Sequence, residues 1–308
     1  MTSFRTIERH IEKQIMNTDV LIRIASDKKS KEEMERSITA TLRLMQEFAD
    51  RYSRFIEGND LWQFNQSAGG PVSSELFDLL SRAKQHHEKT AGRFDPSILP
   101  ALEQEGYTGA YTGMESTEQT SFNTLELNPA TQSARKPISL KIDFGGFGKG
   151  YIVDHVAAIL AREYPHILVD AGGDITVRGQ DVGRGESSWI IGVENPTRPG
   201  IDLCLLALSD CAVATSGKNR RTWKSAGVSK HHLIDPKTKR SSESDLLSVS
   251  VIAASAEEAD VMAKTLFLMG STVAQEFADT HQVPALFYTR TDTFSINNFA
   301  QPYVFPAA

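Results

Sequence analysis

Residues 145–150 read Gly-Gly-Phe-Gly-Lys-Gly, between an alternating apolar and polar stretch at 138–144 and Val153, Val156, Ala157 and Leu160 at helical spacing. Four glycines in six positions let the backbone come very close to whatever packs or binds there. The pattern predicts a strand at 138–144, a turn, and a helix stopped by Pro165. A strand feeding glycines into a helix N-terminus also lets backbone N–H groups face a phosphate. The run is not a Walker loop, because Asp143 stands where the first glycine belongs and Gly150 replaces Ser or Thr after Lys149. Nor is it the dinucleotide G-x-G-x-x-G, because Tyr151 fills the last glycine position. By itself the run leaves close backbone packing and phosphate binding equally open.

The rest of the chain mixes strands and helices. Val20-Leu21-Ile22-Arg23-Ile24 predicts a short β-branched strand. Ser30 stands three residues before Glu33, a capping box, and Met34, Ile38, Leu42, Met45 and Ala49 follow on one helical face. A second helix starts near Ser73 or Ser74, with Leu76, Leu79, Leu80 and Ala83 inward. Residues 102–137 show little periodicity and read as a loop region or a weakly marked pair of strands. Ile167-Leu168-Val169 is a strand, residues 170–174 (Asp-Ala-Gly-Gly-Asp) are a tight turn, and Ile175-Thr176-Val177 returns. Further strands are expected at 189–193, 204–208 and 246–253. Ser255 and Glu258 form a second capping box before Ala259, Met262, Ala263 and Leu266, and Gly270 closes that helix. Strands joined by short turns and mixed with helices indicate an α+β fold rather than a doubly wound parallel sheet.

With 308 residues, 40% of them hydrophobic, the chain can bury a substantial core. A formal charge of −6 argues against nucleic acid as a partner, which requires a basic face. The basic clusters at Lys218, Arg220, Arg221 and Lys224, and at 237–240, read as solvated loops. No run approaches the roughly 20 apolar residues that a bilayer requires, so membrane insertion is not expected. The N-terminal residues carry no apolar signal core or lipoprotein signal, which makes a cytoplasmic location the expectation. Cys204 and Cys211 fit neither a zinc knuckle nor a redox pair and read as free, buried thiols.

Three residues carry chemistry with two readings each. His232, three before Asp235, is a candidate base or a donor to a phosphoryl oxygen, or else an ordinary loop histidine. Asp260, in the first turns of a capped helix, suits a hard cation such as Mg²⁺ or simply complements the helix N-terminus. Asp95, in Phe94-Asp95-Pro96-Ser97, has the same two readings.

Taken together the motifs point one way. Phe94-Asp95-Pro96-Ser97-Ile98-Leu99-Pro100, the stretch from Ile142 to Asp154, Ala171-Gly172-Gly173-Asp174, Ala214-Thr215-Ser216-Gly217, His232-Leu233-Ile234-Asp235-Pro236 and Ala259-Asp260 occur in this order. The series resembles the ApbE family, the FAD:protein FMN transferases. Met16-Asn17-Thr18 and the stretch from Ser53-Arg54-Phe55 to Asn65 resemble the N-terminal signatures of that family. The resemblance implies a short N-terminal segment, 1–15, and one domain over 16–308. It also implies a duplicated T-fold-like unit with largely antiparallel sheets and flavin between its halves. The implied activity cleaves FAD at its pyrophosphate and passes FMN to a Thr hydroxyl of a target flavoprotein through a phosphoester bond, releasing AMP. Some relatives hydrolyse FAD to FMN and AMP instead, and a flavin-binding protein that has lost catalysis is a third reading. By matching motifs, Met16, Phe55, Arg93, Phe94, Asp95, Asp143, Lys149 and Leu233 fall at or next to flavin- and adenine-contacting positions. The Gly146 carbonyl and the Asp260 carboxylate fall where the family holds Mg²⁺, and His232 matches the histidine of the transfer step.

The sequence departs from the resemblance at one informative place. Lys264 stands four after Asp260, where the family has a Thr that helps to hold the metal, and Thr265 is displaced by about 100° around the helix. Lys264 is expected either to form an i,i+4 ion pair with Asp260 or to take over part of the metal site; a protonated lysine cannot be a metal ligand. Lesser departures are Asn17 for Gly, Lys239 for Gly, and Lys218-Asn219 for Asp-Tyr.

Overall fold

An antiparallel hairpin of Ile7–Ile15 and Thr18–Ser26 opens the structure, a computed structural model describing residues 7–107, 120–218, 222–225 and 227–306. Asn219, Arg220 and Arg221 lie outside the described residues. Ile15 pairs with Thr18, so Met16 and Asn17 alone make the turn, with φ of 57° and 56°. A two-residue turn of this hand needs positive φ at both positions, which Asn17 adopts more readily than most residues.

The chain divides into two units. The first comprises the described residues of Met1–Glu47, Gly148–Gly217 and Ser244–Ala308; the second, those of Phe48–Phe147 and Lys218–Glu243. In the first unit, eight strands form one sheet in the order Ile7–Ile15, Thr18–Ser26, His166–Ala171, Asp174–Arg178, Ala212–Gly217, Leu246–Ala253, Ala285–Thr289 and Phe294–Ile296. Every neighbouring pair is antiparallel. The helices Gly148–Leu160 and Ala256–Met269 pack on this sheet. A separate apolar cluster joins Leu168, Ile175, Val177, Val213 and Ile252 of the sheet to Trp189, Val193, Leu206 and Leu208 of the hairpin Trp189–Glu194 and Asp202–Leu208. The sheet strands are correspondingly apolar on alternate positions, and Val20, Ile22 and Ile24 are fully buried.

Helix starts follow their caps. Ser30 N–H donates to Glu33 Oε2 at 2.8 Å and Glu33 N–H to Ser30 Oγ at 3.2 Å, which begins the Lys31–Tyr52 helix. Ser255 Oγ accepts from Glu258 N–H at 3.2 Å, and Gly270, at φ 77°, ends the Ala256–Met269 helix. Among the described residues no helix is long and apolar enough to cross a membrane.

The second unit holds the helices Asp60–Gln66, Ser74–Lys89 and Leu99–Gln104, and the small strands Gly69–Pro71, Ser133–Arg135 and Glu126–Asn128. The last two are the weakly marked pair expected within 102–137; residues 108–119 lie outside the described residues. Contrary to the strand their sequence predicts, residues 138–144 form no strand. Their backbone groups are taken by other partners. The Asn65 side chain accepts from Ile142 N–H and donates to Ile142 O, both at 2.8 Å, and Asp143 N–H donates to Pro96 O at 2.9 Å. Ile142 and Asp143, whose N–H groups are satisfied in this way, are not available to a ladder.

Candidate active site

In the second unit the glycine turn rests on an aromatic bed. A Cβ on Gly146 would lie 2.7 Å from Phe94 Cε2, so only glycine fits over that ring. Phe94 is buried edge-on against Phe147 and His86, with centroids 6.0 and 5.9 Å away, and its carbonyl accepts from His87 Nδ1 at 2.9 Å. Asp143 caps the turn: Oδ1 accepts from Gly145 N–H at 3.1 Å, and Oδ2 lies 3.9 Å from Arg54 Nε. The buried Arg54 guanidinium sits over the rings of Phe55 and Tyr107, at 4.5 and 4.6 Å, and its Nη2 has no hydrogen-bond partner among the described residues. A buried, half-satisfied guanidinium suits an anionic or carbonyl-bearing ligand.

The Asp-Pro-Ser and His-Leu-Ile-Asp-Pro motifs also meet. Asp95 Oδ1 accepts from Ser97 N–H and Oγ at 2.8 and 2.6 Å, while Oδ2 lies 3.5 Å from Lys239 Nζ. Lys239 has φ 58°, a conformation glycine takes freely, and its ammonium reaches Asp95. His232 occupies the bend between Val228–His231 and Ile234–Asp235 and is half-buried. Its neighbour His231 is the buried one: Nε2 donates to Ser242 O at 2.9 Å, and burial pushes its pKa down. Leu233 is buried, and its carbonyl accepts from Ser242 N–H at 2.8 Å. Arg93 is half-buried, its N–H donating to Thr90 O at 3.1 Å.

In the first unit, three motifs converge on one end of the sheet. The Met16-Asn17 turn lies beside the Gly172-Gly173 turn, for Gly172 N–H donates to Asp19 O at 3.0 Å. Asp174, which closes the latter turn, is buried and ion-paired with Lys149 at the start of the Gly148–Leu160 helix. That helix is clamped to Ala256–Met269. Asp154 accepts from the N–H groups of Ala256 and Glu257, both at 2.9 Å, and from Thr176 Oγ1 at 2.6 Å. Burial pushes the Asp154 pKa up despite these donors. On the second helix, Asp260 is buried, and its Oδ1 is held by Lys264 Nζ.

The magnesium ion implied by the resemblance does not fit this donor set. Lys264 already neutralises Asp260, leaving only Oδ2 open, and among the described residues no group of three His, Cys, Asp or Glu is placed to hold a metal. Mg²⁺ takes most of its six oxygens from water and substrate phosphates and needs only one or two carboxylates, so the obstacle is the ammonium on Asp260 rather than the number of ligands. At an effective dielectric of about 20, an ammonium about 4 Å away would repel it by roughly 8 kcal/mol.

Arg54, Tyr107 and Asp174 carry no local sequence signal of a role. Arg54 and Asp143, and likewise Lys149 and Asp174, come together only through the fold. Both cysteines are free, Cys211 buried and Cys204 half-buried, and burial pushes the Cys204 thiol up to about 11.

The ApbE family model matches residues 16–287. The FAD:protein FMN transferase of Vibrio cholerae serotype O1 is 28% identical over 272 residues, covering 81% of this chain and 78% of that protein. Its namesake from Treponema pallidum is 28% identical over 281 residues, covering 83% and 77%. The crystal structure of the ApbE protein of Thermotoga maritima matches with a TM-score of 0.86 at 25% identity, over 97% of this chain and 100% of that one. The matched span takes in the Met16-Asn17 turn, the glycine run, the His-Leu-Ile-Asp-Pro stretch and the Asp260 helix, and the chain belongs to the ApbE family.

Proposed function

We propose that this chain is a flavinyltransferase that moves FMN from FAD to a Thr hydroxyl of a partner flavoprotein through a phosphoester bond and releases AMP. The reading is carried by the likeness, across nearly the whole chain, to relatives named FAD:protein FMN transferase. Residues 16–308 act as one flavin-transferring domain in this reading.

The chemistry assigns each residue a task. Phosphoryl transfer depends mainly on positioning and on neutralising charge at the pyrophosphate. The Thr oxygen bonds to the FMN phosphorus, and the bond from that phosphorus to the bridging oxygen breaks. AMP leaves with that oxygen. His232 accepts the Thr proton, or contacts the phosphate directly as its alternative role. Lys149 serves the FAD phosphates while anchored on Asp174. Met16, Phe55, Arg93 and Leu233 contact flavin or adenine, and Phe94, Asp95 and Asp143 shape the loop that receives it.

The test is incubation with FAD in the presence and absence of a threonine-bearing flavoprotein domain, following AMP and acceptor mass. AMP release in step with an FMN-sized mass gain is expected. AMP without mass gain would make the protein an FAD pyrophosphatase, and FAD binding without AMP would make it a flavin binder.

A further inference from the structure

We propose that Lys264 is the resident cation beside Asp260, and that its ammonium serves the flavin nucleotide's phosphates where a divalent ion would otherwise be needed. The inference rests on the flavin reading above for its ligand, and on this chain's own ion pairs for its cation. Asp260 and Lys264 share one face of the Ala256–Met269 helix, one turn apart. Their side chains are 2% and 16% exposed, so the carboxylate is sealed and the ammonium is the member open to solvent. An arriving anion meets the ammonium first, and an arriving metal meets it before the acid.

The same unit repeats the arrangement. Lys149 is paired with Asp174, and these side chains are 19% and 3% exposed. Two buried acids thus each hold a partly exposed ammonium, Lys149 in the first turn of its helix and Lys264 midway along its own, and the helices touch where Gly150, next to Lys149, abuts Ala256 at the start of the Asp260 helix. The Lys264 ammonium, pinned by a buried carboxylate, can present N–H donors to phosphate and loses little freedom on binding it. Positive charge in this unit is therefore built into the chain.

The experiment measures FAD affinity by flavin fluorescence in EDTA and in millimolar Mg²⁺, and Mn²⁺ binding without nucleotide by electron paramagnetic resonance. The expected result for the wild type is an FAD affinity that changes less than about twofold between the buffers, with no Mn²⁺ binding below millimolar concentration. Lys264→Thr should lose about tenfold in FAD affinity in EDTA and regain it with Mg²⁺, while Lys264→Arg, which keeps the charge, should stay indifferent to metal. A tenfold or greater loss of wild-type affinity in EDTA, or tight Mn²⁺ binding by the free wild type, would overturn the proposal and leave the flavin reading standing. Absence of FAD binding in both buffers would overturn the flavin reading, and this proposal with it. The wild-type measurements decide the matter even if a variant fails to fold.

Discussion

Gly150 and Ala256 meet so closely that a Cβ on the glycine would lie 2.6 Å from the alanine carbonyl oxygen and equally near Glu257 N. The obstacle is backbone, which cannot swing aside. The close approach lets Asp154, one turn further along its helix, reach the N–H groups of Ala256 and Glu257 and fix both helices on the sheet.

Gly150→Ala is therefore expected to destabilise the protein by about 1–3 kcal/mol, the usual cost of overpacking. Denaturant unfolding checks it. An unchanged midpoint would mean that the two helices part without penalty.

His232→Ala should lower FMN transfer by about 10²–10⁴-fold while FAD still binds, if the imidazole accepts the Thr proton. Single-turnover transfer and flavin fluorescence together check it. Lost FAD binding would make His232 a ligand contact, and near-normal transfer would remove it from the mechanism.

Lys149→Ala leaves Asp174 buried without its cation, so loss of stability and loss of FAD affinity are both expected. Adding Asp174→Asn separates them. The double variant should recover stability yet still bind FAD more weakly than the wild type, with riboflavin affinity little changed, because only FAD carries a pyrophosphate. Equal weakening of both ligands would make the pair purely structural.

Lys136 is buried beneath Ser67 O and Leu140 O, to which its ammonium donates at 2.8 and 2.9 Å. Burial, with the nearby Lys141 charge, pushes its pKa down from 10.5 to about 8. Between these two values the unfolded chain binds the extra proton, so this group makes stability rise with pH from about 8 to 10.5. Urea unfolding of the wild type minus Lys136→Met across that window should show the upward slope; a flat difference would mean that the ammonium stays fully charged in the fold.

Much of the architecture was legible locally. Ser30 with Glu33 and Ser255 with Glu258 marked helix starts because a cap and its N–H donors lie within one turn. The Asp260–Lys264 pair was also legible, since helical spacing alone brings positions four apart together. The ordered motifs likewise carry the family resemblance, and the family model matches residues 16–287. The tertiary structure decided what depends on partners distant in sequence. Residues 138–144 had strand composition, yet the side chain of Asn65 and the carbonyl of Pro96 claimed their hydrogen bonds. The strand Ile7–Ile15 falls within the N-terminal segment 1–15 that the resemblance sets apart from the domain, yet it is held by a nine-residue ladder to Thr18–Ser26. Lys149 found Asp174, Asp143 found Arg54, and Lys239 found Asp95 through folding alone. Hydrophobic spacing and caps act within a few residues and so are written along the chain. Ion pairs and backbone satisfaction are settled by whichever group the fold delivers, which no local pattern encodes.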